Sequence, residues 1–331
     1  MATRDYLPQL ATLVDAPPDG DGWGHEVKFD GYRIGCRIRG DRVTLISRNG
    51  KDWTSNFPEV AAAARALTCT DALLDGEVAA VLPDGHTSFQ ALQNVMRRSG
   101  GQASVVYFAF DLLRIEGESI EREPLSARKA RLEALVGRRP HGVIRLSTHI
   151  AGHGARFFEQ ACASGLEGII SKRLDSRYYH GRNRDWVKAK CLKRQELVIG
   201  GFTDPAGTRA GLGALLLGYY NDSQLVFAGK VGTGFTHNAA IELRHRLDRI
   251  ERRSSPYTVA PPRAIANRAH WVTPTLVCEV SFTEWTSDGM IRHPVFHGLR
   301  KDKSASEVRR ELPATIETRA IPPRPTRRPR R

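Results

Sequence analysis

EVKFDGYR (Glu26–Arg33) sets Lys28 at the end of an alternating run, with Asp30, Gly31 and Arg33 directly after it. A lysine ammonium is a poor nucleophile until it loses its proton. A neighbouring cation or a desolvated pocket lowers its pKa. Lys28 is therefore expected to sit in such a setting, with Arg33 near enough to hold an anionic substrate. Taken alone, the string also fits a plain surface turn after a strand. The rest of the chain decides between the two.

The chain has 331 residues, which suggests about two domains. It is 40% hydrophobic and 26% charged, the composition of an ordinary globular protein. Its net charge of +14 points to a polyanionic partner such as nucleic acid. Residues 321–331 contribute five arginines and no acid, so subtracting them leaves +9 on the remainder. Five cysteines (36, 69, 162, 191 and 278) are scattered without a C-x-x-C pair. That spacing speaks against a zinc site and a disulfide framework, and for a reducing cytoplasmic setting. No secretory or membrane-spanning apolar run is present, so no membrane role is expected.

The first two-thirds alternates short strands with a few helices. WGHEVKF, YRIGCRIRG, RVTLISRNG, ALLDGEVAAVL, SVVYFAFDLLRI, GLEGIISKRL and DWVKAKCL read as strands, many of them half-buried and antiparallel. Helices are expected near 57–67, 88–98, 126–136 and 154–164, with Asn56, Ser88 and Ser126 as N-caps. After Lys193, glycine-broken strands, one helix near 238–250 and LVCEVSFTEWT suggest a small closed barrel of the OB type. The predicted division is 1–192, 193–312 and a disordered Arg/Pro-rich tail, 313–331.

Five further strings join Lys28. SRNGKD offers Arg48, LLDGE Glu77, YFAFDLL Phe110, EGIISK Glu167 and Lys172, and WVKAK Lys188 and Lys190, two apart and so on one strand face. Attack on a nucleotide α-phosphate needs a nucleophile, a divalent metal, cations for the phosphates and a slot for the base. Glu77 and Glu167 can hold Mg²⁺, Lys188 and Lys190 can neutralise the α-phosphate, and Phe110 can stack on a purine. Each has an ordinary alternative: solvated strand ends, plain core, or an exposed basic face. Their joint occurrence in one order favours the chemical reading.

That order resembles the covalent nucleotidyltransferases, specifically the ATP-dependent DNA ligases. KFDGYR, SRNGKD, LLDGE, YFAFDLL, EGIISK and WVKAK look like motifs I, Ia, III, IIIa, IV and V. HPVFHGLRKDK (293–303) looks like motif VI, with Arg300, Asp302 and Lys303 as its RxDK element. The resemblance covers residues 8–312 and is strongest to the ligase domain of bacterial ligase D proteins, which act in non-homologous end joining. It implies an α+β fold: an antiparallel-sheet adenylation domain followed by an OB-fold barrel. It implies Lys28 as the adenylylated nucleophile, Glu26 reading the adenine amino group, Phe110 stacking on the ring and Asp30 shaping the nucleophile loop. Arg33 and Arg48 would contact the nucleotide or the nick 5′-phosphate, Glu77 the ribose or metal, and Glu167 the metal. Lys188 and Lys190 would hold the α-phosphate, with Lys172 a further candidate, and Arg300 and Lys303 would orient pyrophosphate. ATP and Mg²⁺ or Mn²⁺ follow as substrate and metal, with nicked or broken duplex DNA as partner.

Phe29 stands where many relatives have Tyr, a change expected to keep ring packing. Few residues precede the first strand, so incomplete encirclement of DNA, weak intrinsic sealing and reliance on a Ku-like end-binding protein are expected. Polymerase and nuclease modules do not fit, which suggests a single-module ligase or an excised domain; a monomer is expected. An RNA ligase or mRNA-capping guanylyltransferase shares the Lys-x-Asp-Gly nucleophile and stays open. So does a noncatalytic OB-fold nucleic-acid-binding protein. An NAD-dependent ligase is disfavoured by the missing four-cysteine zinc module.

Overall fold

The computed structural model describes residues 6–96, 103–138, 141–191, 193–205 and 211–314; most of the expected tail lies outside them. The first half runs β1 (Gln9–Leu13), β2 (Trp23–Val27), β3 (Gly31–Arg39), β4 (Arg42–Ser47), α1 (Pro58–Arg65), β5 (Asp71–Val81), α2 (Phe89–Met96), β6 (Ser104–Ile115), β7 (Glu118–Ser119), α3 (Leu125–Val136), β8 (Ile144–Leu146), β9 (Ile150–Ala151), α4 (Gly154–Ala163), β10 (Gly168–Arg173) and β11 (Gly181–Lys190). The second half runs β12 (Lys193–Thr203), β13 (Ala214–Asn221), β14 (Gln224–Val231), α5 (His237–Asp248), β15 (Glu251–Arg252), α6 (Arg263–Ala266), β16 (Ala269–Val272), β17 (Val277–Phe282), β18 (Glu284–Trp285), β19 (Ile291–Arg292) and β20 (Val295–Arg300).

Two sheets build the first half. One has the order β4-β3-β5-β6-β7, with β8 beside β6; the other has β1-β11-β10-β2-β9. β3 and β5 are buried along most of their length. One face of their sheet packs on α1, α2 and α3 through a core that includes Ile34, Leu74, Val78, Phe57, Phe89 and Leu132. The other face meets the second sheet through Tyr6, Leu73, Phe110, Tyr178 and Trp186. Burial on both faces explains why these strands read as nearly continuous apolar runs. α4 covers the outer face of the second sheet through Ala161, Phe157 and Phe158 against Ile169 and Val187.

In the second half, β12 is the shared spine. It pairs with β13 on one edge, and with β17 and then β16 on the other. α5 plugs the interior with Ala240, Leu243 and Leu247, and Thr236 caps it by accepting from the Ala239 N–H. The barrel is not laddered shut. Its outer strands, β14 and β20, are bridged beyond β14 by the Phe296 N–H donating to the Thr233 carbonyl at 3.0 Å, the partly open form of the OB architecture.

Three sequence expectations need correction. Phe57, not Asn56, caps α1, because Pro58 fixes the first helical φ. Pro124 occupies the N-cap of α3, leaving Ser126 inside the helix. Ser88 does accept from the Ala91 N–H at 3.2 Å at the start of α2. The third correction concerns cysteine: Cys162, at the end of α4, is disulfide-bonded to Cys191, at the junction between the halves. Their 29-residue separation concealed a pair that the packing of α4 beside β10 and β11 brings together. No described helix is long and apolar enough to cross a membrane.

Candidate active site

Lys28 follows β2 directly, and its backbone N–H donates to the Gly168 carbonyl at 3.0 Å. That ties the nucleophile loop to the start of β10. Both motif glycines are required by close approach: a side chain at Gly31 would collide with the Val78 carbonyl, and one at Gly168 with the Ala189 carbonyl. Asp30 fixes the loop's other side. Its carboxylate accepts from the Phe89 N–H at 3.3 Å and from Arg194 Nη1 at 2.8 Å, so first-half and second-half residues meet on it.

One cavity between the two sheets and the barrel is lined by Glu26, Lys28, Asp30, Arg33, Arg48, Glu77, Phe110, Glu167, Lys172, Lys188, Lys190, Arg300, Asp302 and Lys303. All fourteen sequence-derived site residues therefore share one space, although they come from both halves of the chain.

The surroundings of Lys28 differ from expectation. Its Nζ lies 2.5 Å from Glu167 Oε1. Burial pulls its pKa down, but Glu167, Asp30 and Glu77 outweigh that and hold it above the ordinary lysine range. Of the two expected settings, a neighbouring cation or a desolvated pocket, only the desolvation is present; the charged neighbours are carboxylates, so Lys28 holds its proton more tightly than an ordinary lysine. Glu77 is pushed up to about 7 by burial, against the pull of Arg33, Lys28 and Arg300.

Glu167 Oε2 is buried without a hydrogen-bond partner, which marks a carboxylate built to meet something not supplied by the protein. Among the described residues no group of three or more His, Cys, Asp or Glu is arranged to hold a metal. Two carboxylates facing one lysine nonetheless suit Mg²⁺, which binds through one or two carboxylates and keeps waters and substrate phosphates.

At the far end, Glu26 is buried, and its Oε1 accepts from Lys129 Nζ at 2.8 Å while its Oε2 accepts from Ser147 Oγ at 2.8 Å. Lys172 Nζ completes the cluster as an ion pair 2.9 Å from Oε1. Burial raises the Glu26 pKa, but Lys129 and Lys172 overcome it and hold the group at about 2. Lys172 also lies 4.2 Å from the centre of the Phe110 ring. It therefore lies at the Glu26 end of the cavity, beside Phe110.

Arg33 is held by a neighbouring carboxylate. Asp75 accepts from its Nε at 2.5 Å and its Nη2 at 2.6 Å, and the guanidinium sits 4.4 Å over the Phe110 ring. The forked pair fixes the guanidinium against the Phe110 ring, at the wall of the same cavity. Arg48 lies half-buried in the turn after β4. In the barrel wall, Arg300 is forked to Asp302 and reaches Glu279 at 3.1 Å, while Lys303 donates to Glu196 at 3.0 Å. Lys188 and Lys190 both donate to Glu311, at 2.7 and 3.1 Å. Burial and its neighbour Lys190 lower Lys188 to about 8.

Several of these partners were missed in the sequence. Asp75 was within reach, since it shares strand parity with Glu77. Lys129, Ser147, Arg194 and Glu311 carry no local signal and arrive by tertiary packing.

Comparison with known proteins agrees with this geometry. Residues 8–190 match the family model described as "ATP dependent DNA ligase domain", and residues 208–303 the one described as "ATP dependent DNA ligase C terminal region". The multifunctional non-homologous end joining protein LigD of Pseudomonas aeruginosa is 44% identical over 310 residues, covering 93% of this chain and 37% of that protein. The multifunctional non-homologous end joining DNA repair protein LigD of Mycobacterium tuberculosis is 38% identical over 310 residues, covering 93% of this chain and 40% of that protein. The chain thus spans about two-fifths of the length of these relatives. A solved structure titled "mycobacterial DNA ligase D complexed with ATP and MES" superposes with a TM-score of 0.69 at 34% identity, covering 94% of this chain and all of that one. With its adenylation sheets, its OB-type barrel and its lysine-centred cavity, the chain belongs to the ATP-dependent DNA ligase family.

Proposed function

We propose that the chain seals 5′-phosphate/3′-hydroxyl breaks in duplex DNA through a lysyl-AMP intermediate, in non-homologous end joining. The observation that carries this reading is the shared cavity: a lysine amine against two carboxylates, with Lys188, Lys190, Arg300 and Lys303 lining the same space.

In the first step the neutral Lys28 Nζ attacks the α-phosphorus of ATP, the P–O bond to pyrophosphate breaks, and the nitrogen passes its extra proton to solvent water. Lys188 and Lys190 neutralise the α-phosphate as charge builds, and Arg300 and Lys303 orient the leaving group. Lys28 must first lose the proton that Glu167 stabilises. Glu77 and Glu167 would hold Mg²⁺ or Mn²⁺, whose positive charge, when bound, screens these carboxylates and lowers the cost of deprotonating the amine. The AMP then passes to the 5′-phosphate of the break. Attack by the 3′-hydroxyl on that phosphate finally releases AMP and closes the strand.

ATP rather than GTP is favoured by the base end. A carboxylate has about four lone-pair sites; hydrogen bonds from Lys129 and Ser147 occupy two, and Lys172 adds an ion pair. A free site on this acceptor-only group accepts from an adenine amino group and repels a guanine carbonyl oxygen.

Labelled nicked DNA, nicked RNA and a GTP control, offered in parallel, test the reading. Sealing of nicked DNA with ATP supports it. Guanylylation, or sealing of RNA alone, would assign the site to an RNA ligase or capping enzyme. A Ku-like end-binding protein as partner is supported by the end-joining names of the relatives; stimulation of end joining by such a protein tests it.

A further inference from the structure

Beyond the barrel the chain turns back across the cavity mouth. The Gln195 side chain donates to the Arg309 carbonyl at 2.9 Å and accepts from the Glu311 N–H at 3.2 Å, gripping this strap on both sides of Arg310. The Ala314 N–H then donates to the Leu13 carbonyl on β1 at 2.9 Å. The strap is thus tied to the barrel strand β12 and to the adenylation sheet at once. Between those ties Glu311 spreads its two carboxylate oxygens over Lys188 and Lys190, one to each amine. A two-oxygen anion bridging two lysines on one strand face is the arrangement a nucleotide phosphate would make there. The two anions cannot share the same pair of ammonium groups without strong like-charge repulsion.

We infer that Glu311 is a built-in competitor for the nucleotide's phosphate, so that ATP binds by displacing the strap at residues 309–314. The inference rests on the assignment of Lys188 and Lys190 to phosphate binding. Displacement has a second consequence. The strap's ties to Leu13, Lys188 and Lys190 help hold the barrel against the adenylation sheets. A nucleotide that takes the lysines therefore releases one restraint on the barrel, and the adenylylated enzyme, with AMP in place, is freer to open towards DNA. In the nucleotide-free chain Glu311 keeps two half-buried lysines paired, sparing them partial desolvation without a counter-charge.

Rates of self-adenylylation against ATP concentration, measured on full-length wild type, E311Q and E311A, test this. When only a fraction of the protein is competent, apparent affinity falls by that fraction. A strap displaced about a tenth of the time predicts an apparent KM for ATP lower by roughly tenfold in both variants. An unchanged or raised KM overturns the inference, a raised one marking Glu311 as a ligand that assists the nucleotide. Lys188→Ala separates this from the underlying assignment. If it loses adenylylation while E311Q matches wild type, only the strap inference falls. If it adenylylates at wild-type KM, the phosphate assignment itself is wrong. Should the variants misfold, hydrogen exchange on the wild type with α,β-methylene-ATP decides: the amides of Glu311 and Ala314 lose protection if the strap leaves, and keep it if the inference is wrong.

Discussion

Removing the Asp75 carboxylate is the sharpest test of how the nucleotide platform is held. Asp75 is wholly buried and accepts four hydrogen bonds: from Arg33 Nε and Nη2 at 2.5 and 2.6 Å, from Tyr6 Oη at 2.6 Å and from Tyr178 Oη at 2.6 Å. In Asp75→Ala the two hydroxyls keep one partner each, since Tyr6 Oη still accepts from Arg33 Nε and Tyr178 Oη from the Gln9 N–H. The guanidinium is the main loss. Breaking a buried ion pair by deleting one partner costs about 3–5 kcal/mol. The Arg33 side chain is 19% exposed, so some solvent reaches it and the lower end applies. A loss of about 3 kcal/mol lowers the melting midpoint of a domain of this size by roughly 6–12 °C. Arg33 also sits over Phe110, so self-adenylylation should slow at sub-saturating ATP. Calorimetry on wild type, Asp75→Ala and the double variant Arg33→Met/Asp75→Leu checks the reasoning. The double variant should recover much of the loss, because replacing both charges with apolar groups removes the orphan. A cost below about 1 kcal/mol for Asp75→Ala, or a double variant worse than the single one, would refute the argument.

Other expectations concern pH, base choice and the disulfide. Glu77 holds its proton up to about 7, so metal must displace that proton below this pH. Mn²⁺ affinity followed by electron paramagnetic resonance should rise about tenfold per pH unit below 7 and level off above it, and Glu77→Gln should flatten the slope. The sign for folding is opposite: a carboxyl raised in the folded state binds its proton more tightly there, so its contribution to stability declines as pH rises from the ordinary carboxylate range through about 7. Glu26→Gln removes the acceptor-only carboxylate held by Lys129, Lys172 and Ser147. The preference for ATP over GTP should shrink by roughly tenfold or more, read from competitive adenylylation; an undiminished preference would place base selection elsewhere. Cys162→Ser/Cys191→Ser opens a loop of 29 residues and should cost roughly 3–4 kcal/mol by chain entropy, visible as a lower urea midpoint that reductant reproduces in the wild type.

The adenylation half was legible because its chemistry lies in short local strings on strands. Glu26 and Lys28 alternate with Val27 and Phe29 along one run, and Lys188 and Lys190 share a face, so period-two reasoning groups side chains that line one cavity. The OB-type barrel was legible from glycine-broken strands around one helix. The charge pairings were not. Lys28 reads as an amine awaiting a cation or a desolvated pocket, and nothing in its string announces Glu167, which the start of β10 brings to it across 139 positions of sequence. Arg33 reads as a contact to the nucleotide or the nick 5′-phosphate, and nothing in its string shows that Asp75 on the neighbouring strand pairs with it. Glu311 lies beyond every motif and reaches Lys188 only because the chain doubles back over the barrel. Motif strings name groups that line the cavity; which carboxylate neutralises each one in the resting protein is set by tertiary packing.

The central claim is a phosphoramidate at one nitrogen. Wild type and Lys28→Ala, each incubated with ATP and Mg²⁺ or Mn²⁺ and digested, can be compared by mass spectrometry. The account predicts one added adenylyl group on the peptide that carries Lys28 and none anywhere in the variant. Adenylylation at another residue, or nick sealing by a protein that never carries the adduct, would contradict it.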